Sequence, residues 1–375
     1  MKILLIGNYV NDNQKSMQRF SAMLEEHLCS HGHDVRILKP PVFFGRIIKS
    51  AYGIGKWLGY VDKLLIFPFV IRRAVGWANI VHVCDHSNAI YTKYLKDVPH
   101  LVTCHDMLAV RSALGEIPEN ITKWSGRILQ RMILRGLMHA RHIICVSEST
   151  KIDVLRLTSI SPSNMSVIYN GLNYNFSPMT NDEVKRHLEN AGITYEAKYL
   201  LHVGGNQWYK NRIGVLKIFH EVIKLQGAQD YRLIMVGEHW SLAMKEYVRT
   251  NQLSSYVMEL TNVGNESLRA LYTGATALLY PSLFEGFGWP IVEAQACGCP
   301  VFTTNRPPMT EVGGDAAIYI DPEKISETGR KVTDKLNTLM GLREAGFRNA
   351  KRFLTSRMIS EYEIAYESLF QGDDH

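Results

Sequence analysis

Residues 281–298 read Pro281-Ser282-Leu283-Phe284-Glu285-Gly286-Phe287-Gly288-Trp289-Pro290-Ile291-Val292-Glu293-Ala294-Gln295-Ala296-Cys297-Gly298, and they decide the fold of the chain. The apolar run before them, from Ala275 to Tyr280, predicts a buried strand. Pro290 suits the first turn of a helix, where its missing N–H group costs nothing, and Gly298 is placed to end that helix. The sequence therefore predicts a strand–loop–helix unit of an α/β protein.

The loop of this unit carries a carboxylate at the carboxyl end of the strand. Glu285 lies between strand and helix, and Gly286 and Gly288 allow backbone amides to close on phosphate or sugar oxygens. Glu293 follows about one turn into the helix and could point back toward the same loop. The alternative is a chance strand–loop–helix unit in an ordinary α/β protein.

The spacing of the two carboxylates resembles a known signature. Glu285 and Glu293, with seven residues between them, lie in a Glu-Gly-Phe-Gly context ahead of Gly298-Cys299-Pro300, and this resembles the signature of glycosyltransferase family 4. The resemblance implies a retaining, metal-independent enzyme of the GT-B fold, an α/β chain of two Rossmann-like parallel-sheet domains facing each other across a crevice. It also implies that Glu285 contacts the transferred sugar and that Glu293 contacts the nucleotide ribose.

Two further segments resemble the family. Thr103-Cys104-His105-Asp106 is similar to its Thr-x-His-Asp segment, which implies that His105 bonds the donor sugar; a histidine that caps a strand end is the alternative. Lys210 matches the lysine that holds the donor diphosphate, and a solvated surface lysine is the alternative. The catalytic residues implied by the resemblance are Glu285, His105 and Lys210.

The diphosphate loop departs from the family pattern at one position. The family has an arginine where this chain has Gly205 or Asn206. Arg212 could substitute for it, or the glycine amides could form a nest for the phosphates. The donor-binding residues implied by the resemblance are Gly205, Asn206, Lys210, Arg212, Gly237, Val263, Leu268, Glu285, Gly286, Phe287, Gly288 and Glu293.

The first strand, Lys2 to Ile6, ends in Gly7 and Asn8, and the resemblance implies that this turn lies on the acceptor side. The polar loop after it, Asn11-Asp12-Asn13-Gln14, stands where the family has a glycine pair. The chain has no Asp-x-Asp triplet of the kind that holds a metal in other glycosyltransferases. Neither a metal nor another cofactor is therefore expected.

Length and composition favour a two-domain protein without a membrane span. A chain of 375 residues exceeds one typical core. Residues 167–173 resemble the family's segment at the crossing between domains, and Asn170-Gly171 is a plausible turn, so we place the boundary near 171, with domains at 1–170 and 171–354. The resemblance implies that a C-terminal helix at 355–375 completes the first domain. Hydrophobic content of 46% and charged content of 21% are ordinary for globular proteins. No apolar run approaches the roughly 20 residues of a span, and the six scattered cysteines indicate a reduced, cytoplasmic protein.

The positive charge is concentrated in the first half. Residues 1–170 contain 21 Lys and Arg against 12 Asp and Glu, a net +9, whereas the whole chain carries +6. Within 42–77 aromatic residues alternate with basic ones, which favours either core helices with solvated basic faces or contact with the anionic inner face of a membrane. No nucleic-acid-binding motif accompanies the charge.

The combined interpretation is transfer of a hexose from a nucleotide sugar to a glycan or a lipid-linked acceptor in polysaccharide biosynthesis. On family frequency, UDP-glucose is the first choice of donor and GDP-mannose the second. The alternatives are a nucleotide-sugar epimerase or hydrolase of the same fold, and a non-catalytic subunit that binds a nucleotide sugar.

Overall fold

The computed structural model describes residues 1–12, 14–46 and 54–372, and of residues 54–56 it describes the backbone only. The chain separates into two compact units, one of Met1–Asn173 with Thr355–His375 and one of Tyr174–Leu354. Parts of the segments discussed above lie outside this description: Asn13, residues 47–53 and the side chains of 54–56 within the range 42–77, and the last three residues of the helix expected at 355–375.

The first unit is a parallel α/β sheet. Its described strands, paired in the order β2-β1-β3-β4-β5-β6, are β1 (Lys2–Ile6), β2 (Asp34–Leu38), β3 (Ile80–Val83), β4 (His100–Cys104), β5 (His142–Cys145) and β6 (Met165–Val167). Its helices are α1 (Lys15–Ser30), α2 (Ile54–Val61), α3 (Phe67–Ala74), α4 (Leu108–Ala113), α5 (Trp124–Leu137), α6 (Glu148–Leu157) and the C-terminal helix (Thr355–Gln371).

This sheet is buried on both faces because successive side chains of a strand point to opposite sides. Leu4 and Ile6 of β1 join an apolar cluster that includes residues of α3 and α5. Ile3 and Leu5 join a second cluster with residues of α1 and the C-terminal helix. The C-terminal helix therefore contributes to the core of the first unit although it follows the second unit in sequence.

The second unit has the same architecture. Its described strands, paired in parallel in the order β12-β11-β10-β7-β8-β9, are β7 (Tyr199–Gly204), β8 (Arg232–Gly237), β9 (Val257–Thr261), β10 (Ala277–Tyr280), β11 (Val301–Thr304) and β12 (Ile318–Ile320). Its helices are α7 (Asn181–Asn190), α8 (Arg212–Lys224), α9 (Leu242–Thr250), α10 (Asn265–Gly274), α11 (Trp289–Ala296), α12 (Met309–Gly313), α13 (Ile325–Lys335) and α14 (Met340–Ala350).

The order of strands in the second sheet positions the loops that matter for ligand binding. β10, β7, β8 and β9 are neighbours and parallel, so the loops at their carboxyl ends lie side by side along one edge. The prediction of an α/β chain with two Rossmann-like parallel sheets is confirmed by the two sheets. Among the described residues, no helix is both long and apolar enough to span a membrane.

Candidate active site

A lysine, a glutamate and a tyrosine meet at the carboxyl edge of the second sheet. The ammonium group of Lys210 lies 2.8 Å from each carboxylate oxygen of Glu285 and donates to the Tyr280 hydroxyl at 2.9 Å. That hydroxyl in turn donates to Oε1 of Glu285 at 2.6 Å. The side chains of Lys210 and Glu285 are only 18% and 7% exposed, so the ion pair is largely shielded from water.

Short contacts between two loops bring this group together. The N–H of Leu283 donates to the carbonyl of Tyr209 at 2.7 Å, and the Asn211 side chain donates to the carbonyl of Pro281 at 3.0 Å. Asn211 adopts a left-handed conformation with φ of 52°, which ends the short turn that carries Lys210 before α8 begins. The loops after β7 and β10 are therefore joined by one hydrogen bond between backbones and one from a side chain to a backbone carbonyl.

Glu293, the second carboxylate of residues 281–298, is also hydrogen-bonded by a tyrosine. Glu293 lies in α11 and is buried, and its Oε2 accepts a hydrogen bond from the Tyr272 hydroxyl at 2.8 Å. Burial and the Glu293 charge raise the pKa of Tyr272 well above its usual value, so its hydroxyl keeps the proton that it donates. Each of the two glutamates is thus oriented by one tyrosine.

Arg212 is a buried cation with unused donors. Its Nη1 donates to the Asn206 side chain at 2.5 Å and to the carbonyl of Glu238 at 2.7 Å. Its Nε and Nη2 are buried and have no hydrogen-bond partner within the described part of the chain. Burial lowers the pKa of Arg212, and the carboxylates of Glu259 and Glu238 oppose that shift. Such a group can bind an anion that approaches the loop.

Two glycines shape the backbone beside these side chains. Gly237 ends β8 with φ of 146°, and a Cβ atom there would lie 2.1 Å from the carbonyl oxygen of Gly204. Gly288 precedes α11 with φ of 104°, which few other residues adopt. Phe287 is buried, with its ring 5.4 Å from that of Phe353, so its side chain is part of the core.

The remaining donor-binding residues of the sequence analysis lie on the same edge. Gly205 follows β7, and Gly286 follows Glu285 in the loop before α11. Val263 follows β9, and Leu268 lies in α10; both are half-buried. Among the residues that the structure describes, no group of three or more His, Cys, Asp or Glu is arranged to hold a metal ion.

The first unit contains the other predicted residues. His105 follows β4 and is buried; its Nε2 donates to the carbonyl of Cys84 at 2.9 Å, and its ring packs edge-on against Phe20 at 4.8 Å. Burial lowers the pKa of His105, and the nearby Asp85 carboxylate opposes only part of that shift. His105 is therefore held as a neutral imidazole.

Gly7 and Asn8 lie at the same edge of the first sheet as His105. Gly7 donates its N–H to the carbonyl of Leu38 at 2.9 Å. The Asn8 side chain donates to the carboxylate of Asp85 and to the side chain of Gln14. Gly7 and Asn8 are both buried, and the Asn8 side chain bonds a carboxylate, that of Asp85, that is buried as well.

The structure adds residues that the sequence analysis did not single out, namely Tyr280, Tyr272, Glu238 and Asp85. The two tyrosines belong to segments that their apolar neighbours define as core strand and core helix. A sequence signal existed for Tyr280, because it is the last residue of β10 and therefore lies next to the loop that carries Glu285. No comparable signal marks Tyr272.

Comparison with known proteins gives a consistent assignment. The model for Glycosyltransferase Family 4 matches residues 17–176, and the model for Glycosyl transferases group 1 matches residues 184–351. The O-antigen chain mannosyltransferase B of Escherichia coli is 25% identical over 333 residues, which is 84% of each chain. The O-antigen chain mannosyltransferase RfbU of Salmonella typhimurium is 29% identical over 203 residues, about half of each chain.

The fold has close structural relatives as well. The sucrose-phosphate synthase of Thermosynechococcus elongatus superposes with a TM-score of 0.77 over 99% of this chain and 100% of its own, at 15% identity. That likeness shows the fold, and the two family models show the class of enzyme. The chain is therefore a GT-B glycosyltransferase that belongs to glycosyltransferase family 4.

Proposed function

We propose that this enzyme transfers a hexose from a nucleotide sugar to a glycan or lipid-linked acceptor in the assembly of a polysaccharide, with retention of the anomeric configuration. The contact among Lys210, Glu285 and Tyr280 carries the proposal, because a cation that can bind phosphate lies next to a carboxylate that can accept a sugar hydroxyl. The names of the Escherichia coli and Salmonella relatives support a role in polysaccharide assembly.

The proposed reaction breaks the bond between the anomeric carbon and a diphosphate oxygen and forms a bond to the acceptor oxygen. Negative charge develops on the leaving diphosphate, so fixed positive groups lower the barrier most. Lys210 and Arg212 supply that charge, and the amides at the start of α11 add to it. The acceptor proton leaves to a diphosphate oxygen on the same face of the sugar, and no covalent nucleophile is assigned.

The other residues position the donor in this scheme. Glu285 accepts a hydrogen bond from the sugar and His105 supplies a second sugar contact. Glu293 accepts hydrogen bonds from the ribose hydroxyls, because a carboxylate can accept several at once. The donor needs no metal in this proposal, since protein cations and amides take the place of one.

The transferred sugar is proposed to be mannose, because two relatives are named mannosyltransferases. GDP-mannose therefore moves ahead of UDP-glucose, which the family frequency alone had placed first. Both donors remain in the experiment, because the diphosphate, ribose and sugar hydroxyls that the proposed residues would bind are common to GDP-mannose and UDP-glucose.

A panel of nucleotide sugars tests the proposed function. We expect one donor to raise the melting temperature and to be hydrolysed slowly to nucleoside diphosphate and free sugar, with NMR showing retention in the first-formed product. EDTA is expected to leave that hydrolysis unchanged. Formation of a new sugar nucleotide would identify an epimerase, and binding without turnover would identify a non-catalytic subunit.

Replacing the two cations tests their proposed contact with the diphosphate. We expect Lys210→Ala and Arg212→Ala each to weaken donor binding about 10- to 100-fold, because each loses charge-assisted hydrogen bonds to phosphate. Isothermal titration with the donor measures the effect, and Lys245→Ala, an exposed lysine of α9, is the matched control. Unchanged affinity in both site variants would mean that backbone amides alone hold the phosphates.

The first unit is also proposed to rest on the anionic inner face of a membrane. Trp57, Leu65 and Phe69 are 60%, 63% and 65% exposed, and Arg72 and Arg73 beside them are exposed as well. A groove of about 600 Å³ whose lining includes Leu65, Phe69 and Arg73 has mainly apolar walls. The acid of this region, Asp62, is buried; its carboxylate accepts backbone N–H groups at residues 43–45. Anionic lipid matches this combination of exposed aromatic and basic groups.

A second exposed face of the same unit supports the proposal. Helix α5 contains three arginines and no acid, and Trp124 and Ile128 are exposed on it. Membrane contact was one of two interpretations of 42–77 from the sequence, and α5 adds exposed apolar and basic groups outside that range. The ammonium group of Lys63 bonds Asp12 at 2.9 Å, which makes Lys63 a poor lipid contact.

Vesicle sedimentation tests this surface. We expect the wild type to bind anionic vesicles at low salt and to be released as salt rises, because each basic residue contributes about 1 kcal/mol that salt screens. Reversing Arg72 and Arg73 to Glu is expected to abolish binding and to leave donor hydrolysis unchanged. The control reverses Lys245 and Arg330 in the second unit. Wild-type protein that stays in the supernatant at low salt would favour a soluble acceptor.

A further inference from the structure

The ammonium group of Lys210 has no hydrogen left for a phosphate while it holds Glu285. An ammonium group carries three hydrogens, and three acceptors surround Nζ: both oxygens of Glu285 at 2.8 Å and the Tyr280 hydroxyl oxygen at 2.9 Å. A diphosphate that binds Lys210 must therefore displace at least one of these contacts.

Tyr280 holds Glu285 independently of Lys210. Its hydroxyl donates to Oε1 at 2.6 Å, and burial together with the Glu285 charge raises the pKa of Tyr280 well above its usual value, so the proton stays on the hydroxyl. The Tyr280 ring is buried and stacks on the ring of His202 at 6.2 Å. His202 bonds the carbonyl of Leu279 at 3.0 Å, which fixes the support beneath the tyrosine.

We propose that Lys210 changes partners when the donor binds: its ammonium group leaves Glu285 for the diphosphate, and Tyr280 alone then holds Oε1 of Glu285. The exchange makes Oε2 available to a sugar hydroxyl. It is favoured because a diphosphate carries more negative charge than one carboxylate. The inference rests on the proposed function, in which the diphosphate and the sugar bind to Lys210 and Glu285.

The exchange has a consequence for substrate selection. While the site is without a diphosphate, Lys210 occupies both oxygens of Glu285 and competes with any sugar hydroxyl. Once the diphosphate has taken Lys210, the carboxylate can accept that hydroxyl. The Glu285 carboxylate can therefore accept a hydroxyl of a nucleotide sugar, whereas Lys210 blocks that contact for a free hexose. Tyr280 is the positioning residue, because it keeps the carboxylate oriented in both states.

A double-mutant cycle measures the exchange without requiring turnover. Titration calorimetry gives the affinities of GDP and UDP for the wild type, Glu285→Gln, Lys210→Met and the double variant. We expect Glu285→Gln to bind the nucleoside diphosphate about tenfold more tightly, because Lys210 is no longer held by a carboxylate. With Lys210→Met already present, the same substitution is expected to change affinity by less than about twofold.

The cycle separates the exchange from simple repulsion between Glu285 and the diphosphate. Repulsion alone would give an equal gain in both backgrounds, and that result would overturn the exchange. A wild type that binds neither GDP nor UDP would overturn the proposed function instead. Circular dichroism and thermal unfolding of all four proteins verify that each is folded.

Tyr280→Phe tests the positioning role separately. We expect kcat to fall about tenfold while the affinity for the nucleoside diphosphate stays within about twofold, since Phe keeps the ring but cannot hold the carboxylate. Tyr272→Phe is the matched control, because its hydroxyl holds Glu293, and it should weaken nucleotide affinity instead. An unchanged kcat in Tyr280→Phe would overturn this role.

Discussion

Glu285→Gln is expected to lower kcat about 10- to 150-fold and to leave the fold intact. The amide keeps the size of the side chain but loses the charge that strengthens a hydrogen bond to the sugar, and such bonds contribute about 1.5–3 kcal/mol. The side chain lies in the loop between β10 and α11 and its partners are Lys210 and Tyr280, so no packed apolar contact is removed. The measurement is kcat for donor hydrolysis and for transfer.

Glu293→Gln is the matched control for this prediction. The two glutamates belong to the same stretch and each accepts a tyrosine hydroxyl, but only Glu293 is proposed to hold the ribose. We expect the Glu293 variant to raise the Kd of the nucleotide with a smaller effect on kcat. Turnover of Glu285→Gln within twofold of the wild type would contradict the assignment of Glu285 as the sugar contact.

The general layout of this edge could be predicted from the sequence because it depends on strand order and loop position. Lys210 follows β7 and Glu285 follows β10, and adjacent parallel strands bring their carboxyl ends to one edge. The glycines around Glu285 also predicted a tight entry into a helix, which the φ of 104° at Gly288 shows. Strand order and loop glycines can both be read from the sequence, so these two features could be predicted without knowing how the side chains pack.

The partners of the charged groups could not be predicted in the same way. From the sequence, Lys210 was predicted to contact the diphosphate and Glu285 to contact the sugar, whereas in the structure the two side chains form an ion pair with each other. Arg212 was one of two candidates for holding the phosphates; its Nη1 bonds the Asn206 side chain and the Glu238 carbonyl, and its Nε and Nη2 have no hydrogen-bond partner among the described residues. Side-chain direction depends on how two loops pack, and no single segment encodes that.

The exposure of individual apolar residues could not be predicted from the sequence either. In α5 the apolar side chains of Trp124 and Ile128, one helical turn apart, are both exposed. Periodicity gives the relative angle between residues of a helix but does not say which side meets the sheet when apolar residues occur on both sides. The extent of the proposed lipid-binding surface therefore emerged only from the packed structure.

Acid is expected to destabilise the first unit through one buried histidine. His82 lies in β3 with no exposed surface, and its two ring nitrogens are each 2.7 Å from a hydroxyl, that of Tyr366 in the C-terminal helix and that of Thr103. Burial lowers the pKa of His82 from 6.5 to about 3. In the folded protein the His82 ring therefore stays neutral down to about pH 3, whereas in the unfolded chain it takes up a proton below about pH 6.5.

The sign of the effect follows from that difference. The stability that neutral His82 contributes is complete above about pH 6.5 and is lost as the pH falls toward 3, by about 2 kcal/mol at pH 5. We expect His82→Gln, whose amide can still bond both hydroxyls without titrating, to reduce the loss of stability between pH 7 and pH 5 by about that amount in urea unfolding of the full chain. His202 is buried in the second unit, and its pKa is also lowered to about 3. His202→Gln should therefore reduce the loss of stability of the second unit between pH 7 and pH 5 in the same way. An unchanged pH slope in His82→Gln would show that acid destabilises the first unit by another route.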